Sequence, residues 1–392
     1  MAVFRDWIPA LAGMGCFALG AGLIGVYGFF AKHLAQEFDV GLATINIGPA
    51  ALLLVPGLVG PVVGKFVDRI PIRRIMLTGA TIAMVSLYLA SRSSTLTLAA
   101  MCFLGFALGL AMYGPVVVNG LLIKLYSGRE ARALAIAAMG ISVATILLPP
   151  LVGVLLFHFE WRDVLAMLAM GAGFLLWLII VLGIPARAGL VEKVSVATND
   201  KSHLYSNRSF WLVGLCVALA LNVSIVLAIS YPLHFINIGF SIAQAGLFIS
   251  VAGLAGLCGK GVLAVFADIV SRHTKAVAFG LIVGQALSLV LLLFADSVAT
   301  TFAVMCIAGF CSGAFIPMHP YLNSRYFGAD IIGEVNGAQM PLFLPFGLIG
   351  APLAGYLYDL QGNYVAVFWG LAAVLILAGI LALVLPKANP VS

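Results

Sequence analysis

The sequence predicts an all-helical membrane protein of twelve spanning helices in two bundles of six, and three observations predict it. Of its 392 residues, 63% are hydrophobic and 9% charged, and the mean hydropathy is +1.16; soluble domains carry about 25% charged residues. Apolar runs recur along the whole chain at the length a bilayer requires, about 20 residues. The second half of the chain also repeats the first.

Taken in order, the apolar runs place helices at about 8–32, 43–66, 73–91, 95–123, 131–157 and 162–184, then 209–236, 242–266, 275–295, 298–323, 332–358 and 363–385. The first run follows Arg5 as a signal peptide's would, but it is too long and further spans follow. The long polar interruption at 185–208 divides the chain into a bundle at 1–184, a connecting loop and a bundle at 209–392. Of 20 lysines and arginines, Lys260 is embedded and Lys32, Arg92 and Arg162 fall at one set of helix ends. All the others fall at the opposite set, which the positive-inside rule makes cytoplasmic, together with both termini. The basic residues are spread over many short loops, so the basic balance points to a lipid bilayer and not to nucleic acid. The six cysteines all lie in apolar runs, with no loop pair for a disulfide and no metal-ligand spacing.

The repeat is specific. CFLGFALGLAMYGPVVVN at 102–119 aligns with CIAGFCSGAFIPMHPYLN at 306–323, so that Gly105 and Gly109 match Gly309 and Gly313. PLVGVLL at 150–156 matches PLAGYLY at 352–358, and Phe66 and Asp68 match Phe266 and Asp268. Six-helix repeats of like orientation are what two bundles rocking about a central site require.

Lys260 is the one fixed charge inside a span, eight residues before Asp268. A lysine at that depth costs several kcal/mol unless it faces protein or water, which makes it a functional candidate. Gly253, Gly256 and Ala264 share its helical face, as at a packed or cavity-lining surface. The plainer reading is a stem snorkelling to the headgroups. The loop Gly64–Arg74, GKFVDRIPIRR, is the second candidate. Gly64 admits a close neighbour, Asp68 can meet an arginine or a helix N-terminus, and Arg69, Arg73 and Arg74 can meet acids or headgroups. Such a loop can latch one side of the molecule in one state, or it can simply be a positive-inside loop.

The spacing Gly64, Asp68, Arg69, Arg73, Arg74 between helices two and three of a six-plus-six chain resembles the signature loop of the major facilitator superfamily. Asp268 and Arg272 echo it, with Ala264 in place of the glycine and Ile269 in place of the arginine. Within that superfamily, four stretches look like the monocarboxylate transporter and oxalate/formate antiporter branch. They are FFAKHLAQEF at 29–38, Tyr113 after Gly105 and Gly109, Trp161-Arg162, and YFGADIIGEVNG at 326–337 with GAPLAGYLYDLQGNY at 350–364. The resemblance implies alternating-access transport and a substrate carboxylate bound by Lys260. The chain departs from the branch at Gly256, where some relatives have an acid or amide, and at about Phe343, where dianion exchangers carry a second lysine.

One embedded cation suits one carboxylate, held by a charge-assisted hydrogen bond in a low dielectric. A second carboxylate would stay unpaired, so the expected partner is a small organic anion such as lactate, pyruvate, formate or a related 2-oxo acid. Tyr113, His319, Met139 and Asn222 are the further candidate substrate-binding residues. Tyr113 can donate its hydroxyl. His319, between Pro317 and Pro320, can bind substrate or move a proton. Met139 can form an apolar wall, and Asn222 is an intramembrane amide. Each has a structural alternative: seam packing for Tyr113 and Met139, satisfaction by loosened backbone carbonyls for His319, an interhelical hydrogen bond for Asn222. Asp68 and Asp268 complete the latch candidates. All 14 acids sit in loops or near helix ends, so Lys260 itself is the candidate proton carrier, with anion and proton crossing as a neutral pair. Nothing suggests an enzyme, a cofactor or a metal site, and a monomer suffices. The alternatives are an efflux pump for apolar drugs, with Lys260 dispensable, and a non-transporting receptor or scaffold on the same fold. The short tails weigh against the receptor.

Overall fold

The computed structural model describes residues 6–45, 48–186, 188 and 203–386. Arg5, Arg187, Lys193, Lys201, Lys387 and most of the expected connecting loop lie outside the described residues. Among the described residues every regular element is helical. Among the described residues eleven helices are long and apolar enough to cross a membrane, and the apolar helix Gly48–Val67 completes the twelve expected. Large apolar side chains cover the outside, Phe157 being 84% and Leu182 73% exposed. On a water-facing surface such patches would be a liability; against acyl chains they are solvated.

Several expected single helices are broken, three of them beside a proline. The first gives way at Val26, between Ile8–Gly25 and Tyr27–Glu37. The fourth divides into Leu96–Tyr113 and Pro115–Leu125 because a proline drives its predecessor out of the helical region; Gly114 has φ −86° and ψ −153°. The tenth divides at Ile316 and Pro317 into Val298–Phe315 and Met318–Phe327. The eleventh is interrupted around Pro341 by the 3-10 turn Met340–Leu342, between Ile332–Gln339 and Phe343–Gln361.

The chain forms two compact units, Met1–Val196 with Phe327–Pro341, and Ala197–Tyr326 with Leu342–Ser392. The short helix Ile332–Gln339 therefore packs with the first unit, although the sequence division assigns it to the second bundle.

In the first unit, Ile8–Gly25 packs on Glu130–His158, and Ile72–Ser91 packs on Leu96–Tyr113 and Trp161–Gly183. Val26, Phe30, Val152, Trp161, Val164 and Leu168 form a buried apolar cluster. At the rim of that cluster Arg162 reaches Glu37 Oε1 at 2.8 Å, donates to the Ser91 carbonyl at 2.9 Å and lies over the Trp161 ring, tying three helix ends together. In the second unit, Ile242–Val265 packs on Val298–Phe315, and Val365–Val384 on Thr274–Leu292 and Arg208–Asn237. Gln285 donates to Ser224 Oγ at 3.1 Å, an interhelical bond.

The repeated glycines allow close contact in both units, but against different partners. A Cβ on Gly109 would lie 2.6 Å from the Ala83 nitrogen, so Gly109 admits the third helix. Its repeat mate Gly313 meets Gly256 and so admits the eighth, the mate of the second. The duplicated sequence thus keeps the small residue and changes what fills the space.

A close helix crossing in the first unit joins Gly48–Val67 to Ile332–Gln339. Gly60 and Gly64 face Gly333 and Gly337, and a Cβ on Gly64 would overlap the Gly333 carbonyl. Paired small residues four apart let two backbones touch. Gly64→Leu is expected to cost about 1–3 kcal/mol or more by overpacking. Gly171→Leu, where nothing lies within 4 Å of the added Cβ, should stay within about 0.5 kcal/mol of wild type. Thermal unfolding of the purified protein measures both, and equal losses would refute the crossing.

Candidate functional site

The chain after Gly48–Val67 turns at Asp68, whose carboxylate gathers three donors. Lys124 Nζ, from the last turn of Pro115–Leu125, lies 2.8 Å from Oδ1 and also donates to the Val67 carbonyl at 3.0 Å. The backbone N–H of Gly333 donates to Oδ1 at 3.2 Å, and that of Glu334 to Oδ2 at 2.7 Å. These N–H groups open the helix Ile332–Gln339, where the first donors have no partner within the helix and favour negative charge. The Lys124 and Asp68 side chains are only 3% and 11% exposed. Burial pushes the Asp68 carboxyl above the usual carboxylate range, while Lys124 and the Glu334 and Gly333 N–H groups pull it back.

Of the candidate latch residues, Gly64 and Asp68 thus meet the same short helix. Arg69 and Arg74 are exposed and Arg73 is half-buried, and among the described residues none of the three makes an ion pair. Asp268, the repeat mate of Asp68, is exposed. The sequence reading missed Lys124, Gly60, Gly333 and Gly337. A basic residue ending the fourth helix and a second glycine pair four apart were the available signals, but neither names its partner.

Tyr113 ends its helix just before the Gly114 break and is fully buried. Its hydroxyl has no hydrogen-bond partner among the described residues. A Cβ on Gly20 would stand 3.8 Å from that hydroxyl. Gly20 and Gly114 both line a cavity of about 210 Å³, with Cys16, Pro56 and Ile141. Met139 is half-buried in Glu130–His158.

In the second unit, Lys260 is 3% exposed. Its helix, Ile242–Val265, is fitted closely to Val298–Phe315: Gly256 meets Gly309 and Gly313, and a Cβ on Gly259 would overlap the Phe310 carbonyl. Just beyond the proline break, the His319 and Asn323 side chains lie 3.2 Å apart and both are buried. The His319 ring lies 5.5 Å from that of Phe343. Asn222 Nδ2 donates to the Phe343 carbonyl at 3.2 Å and to the Ala218 carbonyl at 2.7 Å. Phe343 thus meets His319 through its ring and Asn222 through its carbonyl.

Among the described residues no group of histidines, cysteines and acids is arranged to hold a metal, and all six cysteines are free thiols.

Two helical units built from helices long and apolar enough to cross a membrane define a polytopic membrane protein. The family model described as Major Facilitator Superfamily matches residues 11–347, and the chain belongs to that superfamily. It is similar to monocarboxylate transporter 13 of Rattus norvegicus, with 24% identity over 381 residues, 95% of this chain and 87% of that protein. It is also similar to monocarboxylate transporter 11 of Homo sapiens, with 26% identity over 412 residues, 98% of this chain and 83% of that protein. Among solved structures, the fold matches the proton:xylose symporter XylE with a TM-score of 0.80 at 12% identity, over 98% of this chain and 96% of that one. It matches the E. coli fucose:proton symporter FucP with a TM-score of 0.76 at 14% identity, over 98% of this chain and 99% of that one.

Proposed function

We propose that this chain is a secondary transporter carrying a small organic anion with one carboxylate across the cell's inner membrane by alternating access, with a proton as the coupling ion, as a monomer. The observation that carries the reading is Lys260, an embedded lysine 3% exposed within an apolar, glycine-rich helix. A buried ammonium binds a carboxylate strongly because water does not compete. A dicarboxylate would keep one charge uncompensated, at high cost. The similarity to monocarboxylate transporters supports the same substrate class. His319 is a second candidate contact, and the unpartnered Tyr113 hydroxyl is a candidate donor to the transported molecule. With no acid in mid-membrane, Lys260 carries the proton, so that the ammonium and its anion cross with no net charge. That avoids the electrical cost of about 2.3 kcal/mol per 100 mV for a lone monoanion moving toward a negative interior.

The Asp68 clamp and the Gly60/Gly64 crossing are the contacts that part and re-form in the cycle. Both bind the short helix Ile332–Gln339, and the break at Met340–Leu342 separates it from the rest of the eleventh span.

The test is uptake of labelled lactate, pyruvate and formate into proteoliposomes under an imposed proton gradient. Saturable uptake that collapses when a protonophore removes the gradient is expected. Absence of anion uptake together with export of an apolar dye would replace this reading with drug efflux. Absence of both would favour a non-transporting receptor.

A further inference from the structure

His234 is a buried titratable group to which the transport reading gives no part. It lies in Arg208–Asn237, beyond the apolar window Arg208–Ala228 and close before the turn at Gly239, which takes φ +98°. The charge bias predicts that this end faces outward. The residue is 4% exposed. Its Nε2 is enclosed, with no hydrogen-bond partner among the described residues.

Aromatic rings stand around it. The imidazole meets the Phe368 ring at 4.6 Å and 66°, and lies 5.7 Å from that of Phe235. Tyr231 packs on both of those phenylalanines, and Phe248 of Ile242–Val265 packs on Phe235 at 5.0 Å. Beyond this box Asn237 donates to the Tyr358 hydroxyl at 3.0 Å. The Tyr358 ring stacks on Tyr364, which stacks on Phe368. The titratable neighbours are therefore phenols: Tyr231 on its own helix, Tyr358 near the end of Phe343–Gln361 and Tyr364 at the start of Val365–Val384. Asp359 is the one acid on those last two helices; it is exposed and makes no ion pair among the described residues. On Ile242–Val265 the titratable groups are Cys258 and Lys260, about three turns beyond Phe248. Protonation of the enclosed ring would add a charge with no acid beside it and leave Nε2–H without an acceptor. Contact with aromatic faces returns only part of the hydration that an enclosed cation gives up.

We propose that this end of the second unit is an acid-sensitive joint, packed while His234 is neutral and released from Phe368 when His234 takes up a proton. A free imidazole titrates at about pH 6.5. The packed form keeps its full stability above that pH and loses it as the pH falls below, because only the released ring binds the proton. Under the transport reading the coupling proton arrives on this side; the joint itself does not depend on that reading.

The experiment is amide hydrogen exchange on the full chain in nanodiscs, read by mass spectrometry and corrected for the intrinsic pH dependence of exchange. Between about pH 7.5 and about pH 5.0, protection across 231–240 and 358–368 should fall by about 30-fold, the factor set when only the released imidazole, with a pKa of about 6.5, is protonated. His234→Leu and His234→Gln remove the titrating group, so both should abolish that fall. His158→Gln, at an exposed histidine of the first unit, should leave it intact. Protection in these segments that ignores acid in the wild type, or an acid response that persists in both His234 variants, would overturn the joint. The readout is local protection, so it is independent of whether the chain carries an anion.

Discussion

Lys260→Ala is expected to lower gradient-driven uptake of a small monocarboxylate by about 30-fold or more, the loss that follows when one member of a buried charge pair is truncated. Lys260 lies in a helix whose neighbouring glycines already touch Val298–Phe315, so the alanine variant should still purify as a folded protein. Lys260→Arg separates the two duties assigned to the lysine. Arginine retains the positive charge and a carboxylate fork, but it does not give up its proton. Anion exchange between the two sides should therefore survive in part, while accumulation driven by a proton gradient is lost. A Lys260→Ala variant that transports like wild type would remove the lysine from the substrate site. An arginine variant that still accumulates anion against its gradient would move proton coupling to another group.

Asp68→Ala should be the most destabilising single change at the loop between the second and third helices. It leaves Lys124, with a side chain 3% exposed, as an uncompensated buried charge, which costs about 3–5 kcal/mol. It also removes the acceptor from the Gly333 and Glu334 N–H groups. The double variant Asp68→Ala, Lys124→Met should recover much of the loss, because an apolar side chain of similar length replaces the stranded ammonium. Thermal unfolding of the wild type, both single variants and the double variant gives the coupling directly. If Asp68→Ala melts with the wild type, or if the two losses simply add, the clamp does not exist as a coupled unit. Asp268→Ala, the same change at the repeat mate, should be nearly silent because Asp268 is exposed.

The contrast between Asp68 and Asp268 marks where sequence reasoning ran out. Both follow a phenylalanine at the end of an apolar helix, and the repeat makes them equivalent on paper. Only Asp68 finds a lysine and a helix N-terminus, and those partners come from residues 124, 333 and 334. The same holds for Gly109 and Gly313, repeat mates that admit non-equivalent helices. Hydropathy and repeat alignment are local or internal to the chain, so neither encodes which distant segment arrives.

By itself the sequence determined the class of protein, its helices and their duplication, because each follows from composition and run length against the thickness of a bilayer. It also marked Lys260, because a charge in an apolar run is conspicuous in one dimension. The tertiary structure alone decided that Lys124 answers Asp68, that Gly60 and Gly64 lie against Gly333 and Gly337, and that Asn222 donates to the Phe343 carbonyl. Those outcomes depend on how close backbones approach and on which hydrogen-bonding groups are already used. Both are properties of pairs of segments far apart in the chain.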